Sequence, residues 1–320
     1  MGRHVAPAVP GAAVVGAPGW PTGTVKALEA AGLQPEWVGA LVSYALSEDL
    51  GGYPGRDVTS QSTVGTDSVR TVHVVARAEG VLAGTPFIPV VLADVAGRIG
   101  QSVPSAEYVV PDGSAVSPGD VVCVLTGSTQ VLLMAERTML NLVCRASGIA
   151  THTRIWTEAL RDTGAQVLDT RKTTPGLRGL EKYAVRCGGG ANKRMGLYDV
   201  AMIKDNHKLA AGSVSAAFAA VRRDFPDVPV QVEVTTVDEA REAVEVGARF
   251  LLCDNMDVAV LAEAVAVARA ATNDTVEVEA TGGLTLEVAR AYARTGVDYL
   301  SVGALTHSSP VLDLAIDLVG

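Results

Sequence analysis

The sequence predicts an α/β chain in which a mixed α+β layer is followed by a closed or nearly closed α/β barrel. Three observations carry that prediction. From Gln166 onwards six short apolar runs, QVLDT, VAMIKD, VPVQVEV, RFLLCD, TVEVEAT and VDYLSVG, alternate with Ala-rich helical stretches, the pattern of βα units with parallel strands. Each run ends in polar residues (Asp169 to Lys172, Lys204-Asp205, Glu233, Asp254, Thr281, Ser301), and a barrel gathers its chemistry at the carboxyl ends of its strands. The half before them instead carries β-branched stretches punctuated by Gly and Pro turns. Eight strands are not visible. A doubly wound open sheet is the alternative, although such a sheet holds its ligand at one switch point instead of recruiting every strand end.

With 48% hydrophobic and 19% charged residues, the 320-residue chain can bury a core large enough for two domains. Its first stretch, Val5 to Val25, lacks charge, but Pro7, Pro10, Gly11, Gly16, Pro18, Gly19 and Pro21 break any apolar segment of a signal peptide, so residues 1–24 read as a disordered tail. The segment PEWVGALVSYALSEDLG then predicts a helix from Pro35, with Trp37, Leu41, Tyr44 and Ala45 as its apolar positions and a stop at Gly51-Gly52. Strands follow in VRTVHVVARA (Val69 to Ala78) and AEYVV (Ala106 to Val110), and DGSAVSPGDVVCVLTG reads as turn, strand, turn, strand. A long helical stretch runs from about Thr129 to Leu160. These features set an N-terminal α+β domain over 25–147 and the barrel over 148–308, with residues 309–320 able to pack back on the first domain. Within the barrel, TTVDEAREAVEVG opens on Thr236 with Glu239 three residues later, a capping box, and closes at Gly247; TLEVARAYARTG closes at Gly296.

A formal charge of −9 argues against nucleic acid as a partner, because phosphate-backbone recognition draws on clustered Lys and Arg over a basic face. The four cysteines (Cys123, Cys144, Cys187, Cys253) form no CxxC pair, so neither a zinc site nor a disulfide framework is indicated and reduced thiols in a cytoplasm fit best. Every apolar run is interrupted before the roughly 18 residues that a spanning helix needs, so no membrane partner is expected.

Against that acidic background, residues 171–208 hold nine basic and three acidic residues, a local +6. Such segregation points to an anionic ligand, since a solvated face usually mixes signs. Arg137, Arg171 and Arg194 could each grip a carboxylate with a two-pronged guanidinium, whereas lysines act as point charges on phosphates. For Arg178, Lys182, Arg186 and Lys208 surface solvation is the simpler reading. Gly188-Gly189-Gly190 could let backbone approach a ligand and gains weight only beside Asn192-Lys193-Arg194. Thr281-Gly282-Gly283 and Ser301-Val302-Gly303-Ala304 each follow a strand, as in the phosphate site that barrels build from their last two βα loops. Glu233 and Asp254 end adjacent predicted strands and could hold Mg2+, ribose hydroxyls or a developing positive charge; a structural ion pair with Lys172 or Lys204 is the alternative.

Read together, AERTMLNLVCRASGIAT (Ala135 to Thr151), DTRKTTPGLRGLEKYAVRCGGGANKRMGLYD (Asp169 to Asp199), IKDNH (Ile203 to His207), VEV, DNM, TGG and SVGALTHS resemble the quinolinate phosphoribosyltransferases, the carboxylating nicotinate-nucleotide pyrophosphorylases, from about Trp37 to the C-terminus. The resemblance implies an N-terminal α+β domain on an incomplete, six-stranded α/β barrel. It also implies a homodimer or hexamer with shared active sites, and conversion of quinolinate and phosphoribosyl pyrophosphate to nicotinate mononucleotide, pyrophosphate and CO2 with Mg2+. By position it assigns Arg137 (from the partner subunit), Arg171, Lys193, Arg194 and Lys204 to the pyridine dicarboxylate. Lys172, Glu233 and Asp254 fall to the phosphoribosyl group as the catalytic set, and Thr281, Gly282, Gly283, Gly303 and His307 to the 5′-phosphate.

One departure bears on the acceptor: the family has Asn-His-Arg where this chain has Asn192-Lys193-Arg194, which changes the shape and charge of the pocket. Smaller departures are Thr235 after VEV, Cys253 before Asp254, and the Tyr53 to Arg56 insertion. The alternatives are a paralogue acting on another pyridine or aromatic acid, a barrel lyase with Lys172 or Lys204 as a Schiff-base lysine, and a catalytically dead scaffold, against which the retained charged positions speak.

Overall fold

The structure, a computed structural model, describes residues 19–319. Most of the tail expected over 1–24 lies outside them, and Thr24 already opens a helix, Thr24–Ala30. The strands among the described residues are β1 (Val69–Ala76), β2 (Gly80–Val81), β3 (Ser105–Tyr108), β4 (Ala115–Val116), β5 (Val121–Ser128), β6 (Gln166–Leu168), β7 (Ala201–Ile203), β8 (Val230–Val234), β9 (Phe250–Asp254), β10 (Glu277–Thr281), β11 (Tyr299–Ser301) and β12 (Leu314–Leu318). The chain forms two units, one of Met1–His152, Thr174–Gly189 and Ser309–Gly320, the other of Thr153–Thr173 and Gly190–Ser308. It therefore crosses between units at 152/153, 173/174, 189/190 and 308/309, where the sequence set boundaries at 147/148 and 308/309.

In the first unit a four-stranded antiparallel sheet has the order β12-β1-β5-β3, so residues at the C-terminus complete a sheet begun at Val69. Helix Pro35–Leu50 starts on a proline, whose fixed φ suits the first turn, but it buries Val38, Val42, Leu46 and Leu50. That is one residue round from the expected face, and Tyr44 is 72% exposed. Helix Ile88–Ile99, which the sequence reading did not single out, buries Ile88, Val90, Val91, Leu92, Ala93, Val95 and Ala96. Its Arg98 is buried because the guanidinium donates to the carbonyls of Gly52 (2.8 Å) and Ser43 (3.0 Å) and pairs with Asp94 (2.5 Å), leaving no charge uncompensated. The long helix is Thr129–Ala159. Helix Arg178–Cys187 carries the fully buried Glu181, which accepts from Arg145 (2.9 Å) and from the N–H and hydroxyl of Thr174 (3.1 and 2.8 Å).

The second unit is built on a six-stranded parallel sheet of order β6-β11-β10-β9-β8-β7. That order is the chain order wound in one direction, with β6 and β7 left as edges, which is an incomplete barrel; the order reversal of a doubly wound sheet does not occur. The free edge of β6 is taken up by Ala191, whose N–H donates to Val167 (2.9 Å) and whose carbonyl accepts from Asp169 (3.2 Å). At helix Val237–Glu245 the Thr236 hydroxyl caps the Glu239 N–H at 3.1 Å. Half of the expected capping box is absent: the Glu239 carboxylate reaches the N–H of Thr235 (2.7 Å) and Lys208 (2.9 Å) instead.

Candidate active site

The second unit encloses a cavity of about 790 Å³ at the carboxyl ends of its strands, and all six strands feed it. Thr170, Arg171 and Lys172 follow β6. Met202 and Lys204 come from β7 and its end, Glu233 from β8, and Leu252, Asp254 and Asn255 from β9. Thr281 to Leu284 end β10, and Ser301 to Ala304 with His307 end β11. Of the residues assigned from sequence, Lys172, Glu233, Asp254, Arg171, Lys193, Arg194, Lys204, Thr281, Gly282, Gly283, Gly303 and His307 all line it. Arg137 does not: it sits in the first unit, on the part of helix Thr129–Ala159 that precedes Thr153, with its side chain 65% exposed.

The basic segment divides. Arg171, Lys172, Lys193, Arg194 and Lys204 line the cavity, whereas Arg178, Lys182 and Arg186 lie on helix Arg178–Cys187 of the first unit. Surface solvation fails for two of its members. Lys182 is 3% exposed, and Lys208, at 9%, donates to the backbone carbonyl of Glu233 (3.1 Å) and pairs with Asp205 (2.8 Å) and Glu239 (2.9 Å). Burial works against the charge on Lys208, but the two carboxylates outweigh it and its pKa is raised. Gly188 to Gly190 do not line the cavity.

Two buried carboxylates that the sequence reading gave no role hold the cationic wall in place. Asp169, fully buried at the end of β6, accepts from the Lys193 N–H (2.9 Å) and the Asn192 amide (2.6 Å), so it carries the Asn192-Lys193-Arg194 segment. Glu279 on β10, also fully buried, takes the Lys193 ammonium at 2.5 Å. Sequence offered one signal for Glu279: it shares strand parity with Thr281, which lines the cavity, so it points to the barrel interior.

Glu233 and Asp254 end neighbouring strands. Glu233 is 6% exposed and pairs with the Lys204 ammonium at 2.6 Å, the expected alternative ion pair, yet both residues still face the cavity. Burial, then the charge of Glu233, holds the Asp254 carboxyl above its ordinary value, so the pair favours a cation between its members. Among the described residues no three His, Cys, Asp or Glu side chains converge as a metal cage. Mg2+ commonly takes one or two carboxylates and completes its shell with water and substrate phosphate, and this donor set fits that use.

At the ends of β10 and β11 the lining consists of two glycine-containing loops, Thr281 to Leu284 and Ser301 to Ala304. Gly282 has φ +96°, and a Cβ there would lie 2.3 Å from the Asn255 side-chain oxygen, so glycine is required both by conformation and by space. At Gly303 a Cβ would lie 3.0 Å from the Lys172 stem and 3.2 Å from His307 Nε2, so this glycine lets two side chains close over the loop. The Thr306 hydroxyl donates to the Lys172 carbonyl at 2.7 Å and ties that loop to the loop after β6.

Residues 149–317 match the quinolinate phosphoribosyl transferase C-terminal domain and residues 57–147 the N-terminal domain of the same enzymes. The chain belongs to the quinolinate phosphoribosyltransferase family. It is 48% identical over 275 residues to a nicotinate-nucleotide pyrophosphorylase [carboxylating] of Mycobacterium leprae, covering 86% of this chain and 94% of that one. A probable enzyme of the same name from Bacillus subtilis is 41% identical, with 87% and 92% covered. Among solved structures, NadC from Streptococcus pyogenes superposes with a TM-score of 0.82 at 34% identity, covering 90% of this chain and 98% of that one. The Francisella tularensis nicotinate-nucleotide pyrophosphorylase gives 0.81 at 33%, with 89% and 96% covered. A quinolinate phosphoribosyltransferase thus accounts for both units of the chain.

Proposed function

We propose that the chain transfers the phosphoribosyl group of phosphoribosyl pyrophosphate to the ring nitrogen of quinolinate and releases the adjacent carboxylate, giving nicotinate mononucleotide, pyrophosphate and CO2. The observation that carries this reading is the composition of one cavity: a cationic wall, a carboxylate pair and two glycine loops, each suited to a different part of two polyanionic substrates.

In this reading Arg171, Lys193, Arg194 and Lys204 neutralise and orient the dicarboxylate. The glycine loops at Thr281–Gly283 and Gly303, with His307, take the 5′-phosphate. The ring nitrogen attacks the ribose C1 while the bond to pyrophosphate breaks; positive charge grows on the sugar, where Glu233 and Asp254 offset it, and Lys172 offsets the charge on the leaving group. The alkylated ring is cationic, so the electron pair of the breaking C2–carboxylate bond stays on C2 beside the positive nitrogen, and C2 then takes a proton. Mg2+, held by Glu233 and Asp254, would supply charge screening for pyrophosphate. Arg137, exposed and outside its own chain's cavity, is given to the acceptor pocket of a second copy in a homodimer or hexamer with shared sites. A cytoplasmic enzyme agrees with four free thiols.

The 48% identity to a carboxylating relative favours quinolinate over another pyridine or aromatic acid. A Schiff-base lyase needs a desolvated lysine, whereas Lys172 is exposed and Lys204, 48% exposed, is paired with Glu233. The test is a CO2-release and nucleotide-product assay with quinolinate, phosphoribosyl pyrophosphate and Mg2+, run beside nicotinate and with Lys193→His. Nicotinate mononucleotide and CO2 in equal amounts from quinolinate are expected. Quinolinate left inert by the native protein but consumed by Lys193→His would assign it a different acceptor.

A further inference from the structure

Lys193 is buried as well as pinned at both ends, unlike Lys204, whose N–H meets His207 (2.9 Å) and whose ammonium meets Glu233 (2.6 Å) but whose side chain is 48% exposed. The Lys193 backbone N–H is fixed by Asp169 at 2.9 Å and its ammonium by Glu279 at 2.5 Å, and both carboxylates are fully buried. A lysine side chain is a point charge on a four-carbon stem with many rotamers, and fixing its tip removes the freedom that a ligand would otherwise have to freeze. Glu279 does not line the cavity, while Lys193 does, so the carboxylate acts on a ligand through the ammonium it holds. Its second oxygen, Oε2, is buried without a hydrogen-bond partner, which leaves Lys193 as the contact that balances it.

The same pairing sets the charge. The Lys193 side chain is 8% exposed, and burial pushes its pKa down, with Lys204 and Arg194 acting in the same direction; the Glu279 carboxylate opposes all three. The pair is neutral as a whole, so a lysine enters a pocket already rich in cations without adding net charge.

We propose that Glu279 is a positioning residue for the acceptor: it fixes the Lys193 ammonium in the cavity wall, and the buried pair, instead of Lys193 alone, reads the carboxylate of the pyridine substrate. This rests on the acceptor reading above. A merely structural Glu279 would affect folding, or both substrates alike; a positioning Glu279 affects one substrate.

The experiment is steady-state kinetics of the full-length chain, varying quinolinate and phosphoribosyl pyrophosphate separately, for wild type, Glu279→Gln, Lys193→Met and the apolar pair Lys193→Met with Glu279→Leu, each with a thermal melt. Losing one charge-assisted hydrogen bond is expected to raise the KM for quinolinate roughly tenfold to a hundredfold in Glu279→Gln, with the KM for phosphoribosyl pyrophosphate within about twofold of wild type. Lys193→Met should show the same selective rise, and the apolar pair should be no worse than Lys193→Met, because the two residues act as a unit. Should either single variant fail to fold, the apolar pair, which leaves no buried charge behind, carries the test with the same selective rise. An active wild type whose quinolinate KM is unchanged in Glu279→Gln or in the apolar pair, or in which both KM values rise together, overturns the proposal. A wild type inert towards quinolinate overturns the acceptor reading, and this assignment with it.

Discussion

Around the strands β6 and β7 the cavity is lined by five long cationic residues, Arg171, Lys172, Lys193, Arg194 and Lys204; around β10 and β11 it is lined by two glycine-containing loops, Thr281 to Leu284 and Ser301 to Ala304. Both surfaces suit anions, yet their internal requirements differ. Five cations in one wall repel each other, and the fold answers with carboxylates drawn from distant elements: Glu233 on Lys204, Glu279 on Lys193, and Asp169 beneath the segment that carries Lys193 and Arg194. The glycine-loop wall carries no net charge and needs no counter-ion; it needs glycine where a side chain would collide. Substitutions on the first wall should therefore act through charge, and on the second through shape.

The largest effect is expected from Arg171→Ala. Removing a guanidinium that meets a substrate carboxylate should lower kcat/KM by about a thousandfold or more, roughly 4 kcal/mol, with an unchanged far-ultraviolet spectrum and a melting temperature close to wild type. Product assay and thermal melt together check it, and near-normal turnover would remove Arg171 from the pocket. Next comes a contrast within the glycine-loop wall. Gly282→Ala meets both a left-handed φ of +96° and the Asn255 side chain, whereas Gly283→Ala, at φ +59°, meets open space. The first should cost about 2–3 kcal/mol and raise the KM for phosphoribosyl pyrophosphate; the second should cost about 1 kcal/mol. Equal effects would mean that strain alone, without crowding, governs that loop.

Lys208→Met probes a support of the cationic side that touches no substrate. It removes the buried donor to the Glu233 carbonyl and the partner of Asp205 and Glu239, the last two partly screened by solvent, so a loss of about 1–2 kcal/mol and a few-fold fall in kcat are expected in denaturation and rate measurements. The smallest effect concerns Cys253 and Cys123, whose thiols burial pushes up to about 12 from an ordinary 9.0. Folded chains hold those protons more tightly than unfolded ones, so this contribution is fully present below pH 9 and is lost as the pH climbs towards 12. Iodoacetamide at pH 8 should leave both unmodified in the folded chain and alkylate both after unfolding.

Much of this was legible in the sequence because barrel chemistry is local: a parallel strand is a short apolar run, and its next few residues line the mouth, so Lys172, Glu233, Asp254 and Thr281 could be picked out by position alone. What supports them was not legible, because partners meet across long separations. Glu279 finds Lys193 86 residues away, Asp169 finds it 24 away, and Lys208 finds Glu239 31 away. Helix Ile88–Ile99 escaped because it is buried over most of its circumference, and its two charges, Asp94 and Arg98, pair with each other one turn apart instead of marking a broad solvated face. The face of helix Pro35–Leu50 was misjudged for a related reason: apolar residues surround it, and packing chose the Val38, Val42, Leu46, Leu50 ridge.

The division of the mouth into a charge-reading and a shape-reading wall is tested most directly by calorimetric titration of quinolinate and of ribose 5-phosphate into wild type, Arg171→Ala and Gly282→Ala. A crossed pattern is expected: Arg171→Ala loses quinolinate and keeps ribose 5-phosphate, while Gly282→Ala does the reverse. Both ligands lost together in either variant, or the pattern inverted, would contradict it.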